Sequence, residues 1–339
     1  MTRDDVARLA GVSTAVVSYV LNDGPRGVAP ETRRRVDEAI RRLGYRPNRL
    51  SQAMAGHRDT GLIGVVVPDM RRAFLSEMVH ALEQAASRRG FTVVVGNSGL
   101  RSEREPYYRD AFLGMRIAGL VVVGARPLPG TVDLITHEGT RVVQLYGPAP
   151  TEPRPGTFTG DETGSGRLAT EHLLDHGHRD ICFFAEPDNP VAAQRAAGWR
   201  AALADAGAHG RLFPVPGDRL GAYEAARELL DVRPQWERPT AVVCGTDEQA
   251  LGVVAAARSL GIPVPGGLAV VGQDGIREAG FQTPALTTVV TAPDLLVRAA
   301  LDALGAGAAV PPPSASPAPP GVDPGRPRLE AGGSCGCGT

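Results

Sequence analysis

Residues 4–22 read DDVARLAGVSTAVVSYVLN, which is two short helical patterns joined by a tight turn. The spacing of apolar residues predicts a first helix over 4–10, and Gly11 then breaks the pattern. Ser13 is a favourable N-cap for a second helix over 14–21. The apolar residues expected to face inward are Val6, Leu9, Ala10, Val17, Val20 and Leu21.

A third helix is predicted over 30–43, after a strong turn at 22–25. Pro30 stands at its first position, and Gly44 is placed to cap its C-terminus. Its inward face would carry Val36, Ala39, Ile40 and Leu43. Three short helices with a glycine turn between the first two are typical of the helix-turn-helix arrangement.

The second helix is the part of this arrangement that would meet DNA, because it enters the major groove with its N-terminus first. The side chains placed to reach base edges and phosphates are Thr14, Ala15, Ser18 and Tyr19. The alternative is a generic three-helix bundle with a solvated basic face, since such spacings also recur by chance.

Charge is distributed unevenly along the chain. Residues 1–58 carry eleven arginines and six acidic residues, a net charge of +5, whereas residues 59–339 carry a net charge of −6. A small basic module attached to a larger acidic body is typical of a nucleic-acid-binding protein with a second function.

The composition limits the remaining classes of protein. Apolar residues make up 42% and charged residues 22% of the 339 positions, as in a folded globular protein. No run of about 18 apolar residues occurs, so no membrane span is predicted. Four cysteines do not suffice for a disulfide scaffold, and the first residues lack an apolar signal core. These features indicate a cytoplasmic, reducing environment.

From residue 61 onward, strand-like and helical stretches alternate. Valine-rich runs such as 62–67 and 241–244 are separated by predicted helical stretches such as 74–89, 131–138, 190–206 and 247–260. The alternation predicts parallel sheets covered by helices on both faces, and a Pro-rich connector at 148–155 divides them into two lobes. Ligands of such folds bind at the carboxyl ends of the strands.

Four segments are therefore expected: a helix-turn-helix head at 1–46, a hinge helix and linker at 47–60, a two-lobed core at 61–304 and a Gly/Ala/Pro-rich tail at 305–339. Within the core, the expected lobes are 61–155 and 160–285, with a crossover return at 286–304. The helix-capable run 49–55 is too short to be stable alone and could fold only against DNA or a second copy of the chain. The tail is expected to be loosely attached.

Motifs in both parts of the chain form a specific set. The head contains Asp5–Ser13, Val17-Ser18, Val20–Asn22 and Leu43–Asn48. The body contains Arg167–Leu173, Arg195–Trp199, Val270–Asp274 and Leu286–Thr288. Together these motifs resemble the LacI/GalR family of bacterial transcription regulators over nearly the whole chain.

That resemblance implies an all-α helix-turn-helix head and an α/β core of periplasmic-binding-protein type, with two doubly wound parallel-sheet lobes. It implies a homodimer whose partner is double-stranded DNA with a palindromic operator, and a hinge helix that pushes Met54 into the minor groove. The residues it assigns to DNA are Ser13, Thr14, Ala15, Ser18, Tyr19, Asn22, Thr32, Tyr45, Asn48, Arg49 and Met54. Val16 and Tyr19 depart from the family's usual Thr and Arg, which predicts a different operator.

The resemblance also implies a small-molecule effector, a sugar or sugar derivative, in contact with Phe74, Asn97, Tyr146, Arg195, Thr246 and Asp274. Arg195 and Asp274 suit a polyhydroxylated ligand, because a forked donor and a double acceptor can face adjacent hydroxyl groups. The alternative for this pair is a surface or interlobe salt bridge. Arg72, another departure, would favour an acidic effector if it stood at the mouth of the pocket, or could simply face solvent.

Three further motifs suggest other chemistry. Gly164–Ala169 mimics the G-x-G-x-x-A dinucleotide fingerprint, but no apolar strand leads directly into it. The spacing of His172, His176 and His178 is typical of metal ligands, but histidines at a helix C-terminus also interact with the helix dipole. Cys335 and Cys337 alone are too few ligands for a zinc site.

The sequence therefore predicts a DNA-binding repressor controlled by a small ligand, with no cofactor, no metal, no membrane partner and no enzymatic activity. Two alternatives share the α/β core. A free sugar-binding protein would need an export signal and no basic head. A nucleotide-dependent enzyme would bind a dinucleotide such as NAD tightly.

Overall fold

The computed structural model describes residues 1–22, 27–46, 60–101, 103–124, 140–147, 156–231, 238–290, 292–305 and 326–337. The predicted hinge run 49–55 and a helix predicted over 131–138 lie outside these residues. The chain divides into two compact units, Met1–Thr60 and Gly61–Thr339, and each is described by itself.

The described part of the first unit is helical. Its helices are α1 (Arg3–Ala10), α2 (Thr14–Asn22) and α3 (Pro30–Leu43), as predicted to within one residue at each end. Thr2 and Asp5 form a capping box at the start of α1. Gly11 and Gly44 end α1 and α3 with φ of 65° and 60°, a conformation that glycine adopts without steric cost.

Apolar side chains of these three helices meet in one small core, formed by Val6, Ala7, Ala10, Val17, Val20, Val36 and Ala39. The predicted inward position of Leu9 is wrong: its side chain is 45% exposed, because Ala7 and Ala10 take the inward positions of α1. Arg33 Nη1 donates to the carbonyl oxygen of Val20 at 3.3 Å and so ties α3 to the end of α2.

The first lobe of the second unit is a five-stranded parallel sheet with the order β2-β1-β3-β4-β5. Its strands are β1 (Leu62–Val67), β2 (Thr92–Asn97), β3 (Gly119–Val123), β4 (Arg141–Leu145) and β5 (Thr157–Phe158). The helices α4 (Ala73–Arg88) and α5 (Arg104–Gly114) connect β1 to β2 and β2 to β3. Every residue of β3 is buried, as its continuous apolar run predicts.

The second lobe is a six-stranded sheet with the order β11-β10-β9-β8-β6-β7. Its strands are β6 (Ile181–Ala185), β7 (Leu212–Pro214), β8 (Ala241–Cys244), β9 (Ala269–Asp274), β10 (Thr287–Val290) and β11 (Arg328–Glu330). Its helices are α6 (Glu162–Asp175), α7 (Pro190–Asp205), α8 (Arg219–Asp231) and α9 (Asp247–Ser259). The predicted fold class, an all-α head with two parallel-sheet lobes, is confirmed.

The C-terminal part of the chain passes through both lobes. Helix α10 (Pro293–Ala303) packs against α4 and β4 of the first lobe. Strand β11 then pairs antiparallel with β10 in the second lobe, and a 3₁₀ turn over Gly333–Cys335 follows it. The prediction of a loosely attached tail is therefore wrong for residues 326–337, because the free edge of β10 supplies hydrogen-bonding groups that β11 satisfies.

Candidate functional site

The start of α2 presents short side chains at the surface of the first unit. Ser13, Thr14 and Ala15 are exposed, whereas Val17 and Val20 hold the helix on the core. Ser13 Oγ accepts a hydrogen bond from the backbone N–H of Val16 at 3.4 Å, which is the predicted N-cap. One end of α2 is thus left accessible, as a recognition helix requires.

The other residues assigned to DNA are placed differently. Ser18 and Tyr19 on α2, and Thr32 on α3, are half-buried, and Tyr45 packs against the core of the first unit. The side chain of Asn22 and the residues Asn48, Arg49 and Met54 lie outside the described part of the chain. DNA contact by all eleven residues stays a prediction.

A cleft of about 240 Å³ lies between the two lobes of the second unit. Its wall is built by residues at the carboxyl ends of parallel strands and at helix N-termini, as the fold predicts. Four of the predicted effector residues line it, namely Phe74, Tyr146, Thr246 and Asp274. Thr246 also caps α9, because its Oγ1 accepts from the N–H of Gln249 at 3.2 Å.

Arg195 lies behind this wall, with a side chain only 1% exposed. Its Nε donates to Glu162 at 2.6 Å, and its Nη2 donates to the Tyr146 hydroxyl at 2.9 Å. Its Nη1 donates to Asp274 Oδ1 at 2.9 Å and to the carbonyl oxygen of Gly245 at 2.6 Å. Arg195 is therefore not part of the wall, and its predicted contact with an effector is not supported by its position, since buried acceptors engage its guanidinium, which orients Asp274 and Tyr146.

Tyr146 and Asp274 join the lobes across the cleft. Tyr146 follows β4 of the first lobe, Asp274 ends β9 of the second, and the tyrosine hydroxyl donates to Asp274 Oδ1 at 3.3 Å. Their φ angles are 56° and 126°, and Asp188, also on the wall, has 55°. Positive φ in residues other than glycine costs free energy and concentrates at functional sites. With Leu100, whose φ is 62°, four such residues line the cleft and mark it as a site.

Three buried carboxyl groups surround the single guanidinium of Arg195. Burial raises the pKa of Asp274 to about 7; Arg195 opposes this shift, while the charges of Asp247 and Glu162 add to it. Burial also raises the pKa of Asp247 to about 6, against the hydrogen bond that the Thr288 hydroxyl donates to it at 2.6 Å. The wall thus carries a carboxyl group that changes its protonation near neutral pH.

An ion pair between the lobes stands at the mouth of the cleft. Arg72, which precedes α4, donates from Nη1 to Glu186 Oε2 at 2.9 Å. Burial alone would raise the pKa of Glu186, but the hydrogen bond and charge of Arg72 outweigh burial and lower it. Glu248 of the second lobe accepts from the N–H of Ala73 at 3.3 Å. Arg72 is thus neutralised at the mouth, and its side chain is only 19% exposed.

Asn97 takes no part in the cleft wall. It ends β2, and its Oδ1 accepts from the N–H of Gly99 at 3.4 Å. The predicted contact between Asn97 and an effector is therefore not supported by its position, because the side chain serves the turn that follows the strand.

Gly166 of the dinucleotide-like motif and Gly198, which lies outside that motif, have a packing role. A Cβ atom at Gly166 of α6 would lie 1.8 Å from the carbonyl oxygen of Arg195, and one at Gly198 of α7 would lie 1.9 Å from that of Thr163. Both glycines are therefore required for the close crossing of α6 and α7, which carry Glu162 and Arg195.

One cluster was not predictable from the sequence, because its histidines and its cysteines lie far apart along the chain. His172 and His176 of α6 lie beside Cys335 and Cys337, and the four potential ligand atoms all lie within 4.8 Å of one another. His178 is not part of this cluster; its Nδ1 lies 3.0 Å from the Thr240 hydroxyl. The sequence predicts no metal here, because the histidines can interact with the helix dipole and two cysteines are too few ligands, whereas the fold brings the four residues together.

A helical head of this kind, followed by two parallel-sheet lobes around a cleft, combines a DNA-binding module with a ligand-binding core. Residues 2–48 match the family described as bacterial regulatory proteins, lacI family, and residues 170–335 match the periplasmic binding protein-like domain. The chain belongs to the LacI family. Among the helices that the structure describes, none has the length and apolarity needed to cross a bilayer.

Named relatives agree with this assignment. Catabolite control protein A of Priestia megaterium is 33% identical over 293 residues, which cover 84% of this chain and 86% of that protein. The HTH-type transcriptional repressor PurR of Salmonella newport (strain SL254) is 32% identical over 315 residues, 89% of each chain. The prediction of a regulator rather than an enzyme is thereby confirmed.

Solved structures are similar over most of the chain. The Lac repressor dimer bound to operator and the anti-inducer ONPF has a TM-score of 0.79 at 27% identity, and the match covers 90% of this chain and 91% of that one. The complex of the transcriptional regulator CelR with cellobiose has a TM-score of 0.63 at 28% identity, covering 98% and 99%.

Proposed function

We propose that the chain is a repressor that binds a twofold-symmetric operator as a homodimer and that a neutral sugar in the interlobe cleft changes its affinity for the operator. Residues 1–46 bind DNA, residues 47–60 form the hinge and linker, and residues 61–304 bind the ligand and dimerise. The contact between Tyr146 and Asp274 across the cleft is the observation that carries the proposal. Since its partner is chromosomal DNA, the protein acts in the cytoplasm.

The chemistry of the wall favours a polyhydroxylated ligand. The Asp274 carboxylate can accept hydrogen bonds from two adjacent hydroxyl groups. The rings of Phe74 and Tyr146, with centroids 4.5 Å apart, offer apolar surface for the C–H face of a sugar ring.

The charge of the wall disfavours an acidic ligand. The acidic residues on it are Glu105, Glu186, Asp188, Glu248 and Asp274, against Arg72 as the one cation in the described lining. Because Arg72 is already paired with Glu186, an anionic ligand would have to break that pair and face the remaining carboxylates. A neutral sugar meets neither cost.

Ligand and DNA act on the same arrangement of lobes. A ligand that hydrogen-bonds Asp274 competes with the Tyr146 hydroxyl, and so changes how the first lobe is held against the second. Strand β1 of the first lobe follows directly from the linker to the head. By linkage, operator and ligand must change each other's affinity by the same factor, typically about 5–150-fold.

The ligand half of the proposal is tested by calorimetric titration of the full chain with neutral and phosphorylated mono- and disaccharides. We expect a neutral sugar to bind and Asp274→Asn to weaken it by about 10–100-fold, the cost of a hydrogen bond to a charged group. Asp231→Asn, an exposed acid on α8 that is not part of the cleft wall, is the matched control. Binding of only phosphorylated sugars, or equal binding by both variants, would contradict the proposal.

A further inference from the structure

The cluster of His172, His176, Cys335 and Cys337 has the composition of a metal site. His172 Nε2 lies 3.1 Å from Cys335 Sγ and 3.5 Å from Cys337 Sγ, and His176 Nε2 lies 3.2 Å from Cys337 Sγ. Two imidazole nitrogens and two sulfurs are the donor set of many structural zinc sites.

The size of the cluster fits a tetrahedral ion. Zinc lies about 2.3 Å from sulfur and about 2.0–2.1 Å from nitrogen, so the ligands of a tetrahedral site are separated by roughly 3.3–3.8 Å. The nitrogen–sulfur separations of 3.1–3.5 Å, and the limit of 4.8 Å for all pairs, require only small movements to reach this geometry.

The local backbone structure brings all four side chains close together. His172 and His176 are four residues apart on α6 and therefore lie on the same face of the helix. Cys335 ends the 3₁₀ turn, and Gly336 has a φ of 103°, which lets the chain reverse so that Cys337 returns to the same side. The Gly between the two cysteines is thus required by the geometry of the cluster.

The surroundings of the cluster resemble the outer shell of a metal site. The Thr287 hydroxyl on β10 lies 2.9 Å from Cys335 Sγ, and the N–H of Cys337 lies 3.5 Å from the same sulfur. Such donors stabilise a metal-bound thiolate and fix its orientation. Cys335 is buried and His176 is exposed, so an ion can enter from one side.

We propose that these four residues form a structural Zn²⁺ site that fastens residues 326–337 to the second lobe. The ion binds two thiolates and two neutral imidazoles, and the two thiol protons pass to the solvent. Strand β11 has only three residues, and the metal adds to its pairing with β10 a second attachment, to α6.

The test uses the full chain, reduced, stripped of metal with a chelator and titrated with Zn²⁺ or Co²⁺. We expect one metal ion per chain by elemental analysis. Co²⁺ should give the intense visible bands and thiolate charge-transfer absorption of a tetrahedral site. Zn²⁺ should raise the thermal unfolding temperature of the wild-type chain.

Two variants remove one ligand each at accessible positions. Cys337→Ser and His176→Ala should lower Zn²⁺ affinity by more than about 100-fold, beyond the 10–100-fold typical of outer-shell changes. Both should retain the circular dichroism of the wild type. His178→Ala is the matched control, because this histidine lies two residues further along the chain and contacts Thr240 instead; it should bind metal like the wild type.

The proposal is overturned if the reduced wild-type chain takes up no Zn²⁺ or Co²⁺, which would leave the cluster as thiol–imidazole hydrogen bonds. It is also overturned if bound Co²⁺ has an octahedral spectrum, or if Cys337→Ser and His176→Ala bind metal as tightly as His178→Ala.

Discussion

Asp274 combines a buried carboxyl group, a strained backbone and a position on the cleft wall. Its φ of 126° and its hydrogen bonds from Arg195 and Tyr146 fix the carboxyl group in place before any ligand arrives. Preorganisation of this kind lowers the entropic cost of binding. Burial raises the pKa of Asp274, and one arginine among three carboxyl groups does not offset that shift, so the protonation of Asp274 responds to pH.

The raised pKa of Asp274 predicts how the stability of the chain depends on pH. Because its pKa is raised to about 7 from 3.8, the folded chain holds a proton that the unfolded chain releases, so stability falls as pH rises through this range. The side chain of Asp274→Asn stays neutral at every pH. The decrease in the free energy of unfolding over this pH range should therefore be smaller in the variant than in the wild type, by on the order of 2–4 kcal/mol. Thermal unfolding of both chains across this pH range checks it. An equally steep decline in the variant would contradict the assigned pKa.

The position of Tyr19 on α2 predicts that this residue affects the preference for DNA sequence. On an accessible recognition helix, a side chain that reads bases affects discrimination, whereas arginine contacts to phosphates set affinity for any sequence. Tyr19→Ala should reduce discrimination between the operator and a mutated operator by about 1–3 kcal/mol and leave binding to random duplex nearly unchanged. Competition binding at fixed salt measures both.

Tyr107→Ala is the control for this variant, since Tyr107 is 68% exposed on α5, in the other unit of the chain. A uniform loss of affinity for all DNA sequences in Tyr19→Ala, or an equal effect of Tyr107→Ala, would contradict the prediction that Tyr19 reads bases.

Single residues were predictable where the family resemblance assigns them to a strand end or a helix start. Phe74 at the start of α4, Tyr146 after β4 and Asp274 at the end of β9 all line the cleft. The burial of Arg195 was not predictable, because it depends on Glu162 and Gly245, which come from other segments of the chain. The position of Asn97 was not predictable for a similar reason, because its side chain forms a hydrogen bond in the turn after β2.

The crossing of α6 and α7 is the packing feature that supports the cleft. Gly166 and Gly198 allow each helix to touch the backbone of the other, and these helices carry Glu162 and Arg195. A methyl group at either glycine would clash with a backbone carbonyl oxygen. Because the clashing atom belongs to the backbone, no side-chain movement can remove the clash.

Gly166→Ala should therefore destabilise the chain by about 1–3 kcal/mol or more, as overpacking does. Gly114→Ala is the matched control, because Gly114 ends α5 and a Cβ there would meet no atom within 4 Å. Denaturant unfolding compares the two variants. A Gly166→Ala chain as stable as Gly114→Ala would refute the packing role of the glycine.

Secondary structure was predictable wherever an apolar pattern extends over several residues of a strand or several turns of a helix. Helices α7 and α9, and strands β1 and β8, have bounds within a residue of those that the spacing predicts. Strands β5 and β11 were not predictable, since two or three residues carry no period and their pairing is decided by distant strands. The Gly/Pro-rich composition around β11 also conceals it.

At the scale of the whole chain, the cleft is a junction held by contacts from both lobes. Arg72 pairs with Glu186, Tyr146 with Asp274, and Glu248 with the backbone of Ala73. A ligand that changes these contacts changes the arrangement of the lobes, and that arrangement must be coupled to DNA for the chain to act as a switch.

The central claim is that the chain recognises a symmetric duplex and that its hold depends on a ligand in the cleft. Fluorescence anisotropy of the full chain tests it directly, with a twofold-symmetric operator selected from its own genome and a random duplex as labelled probes. We predict a preference for the operator of about 10³-fold or more, and a shift of about 5–150-fold when the sugar is added. Equal affinity for both duplexes, with and without sugar, would contradict the account.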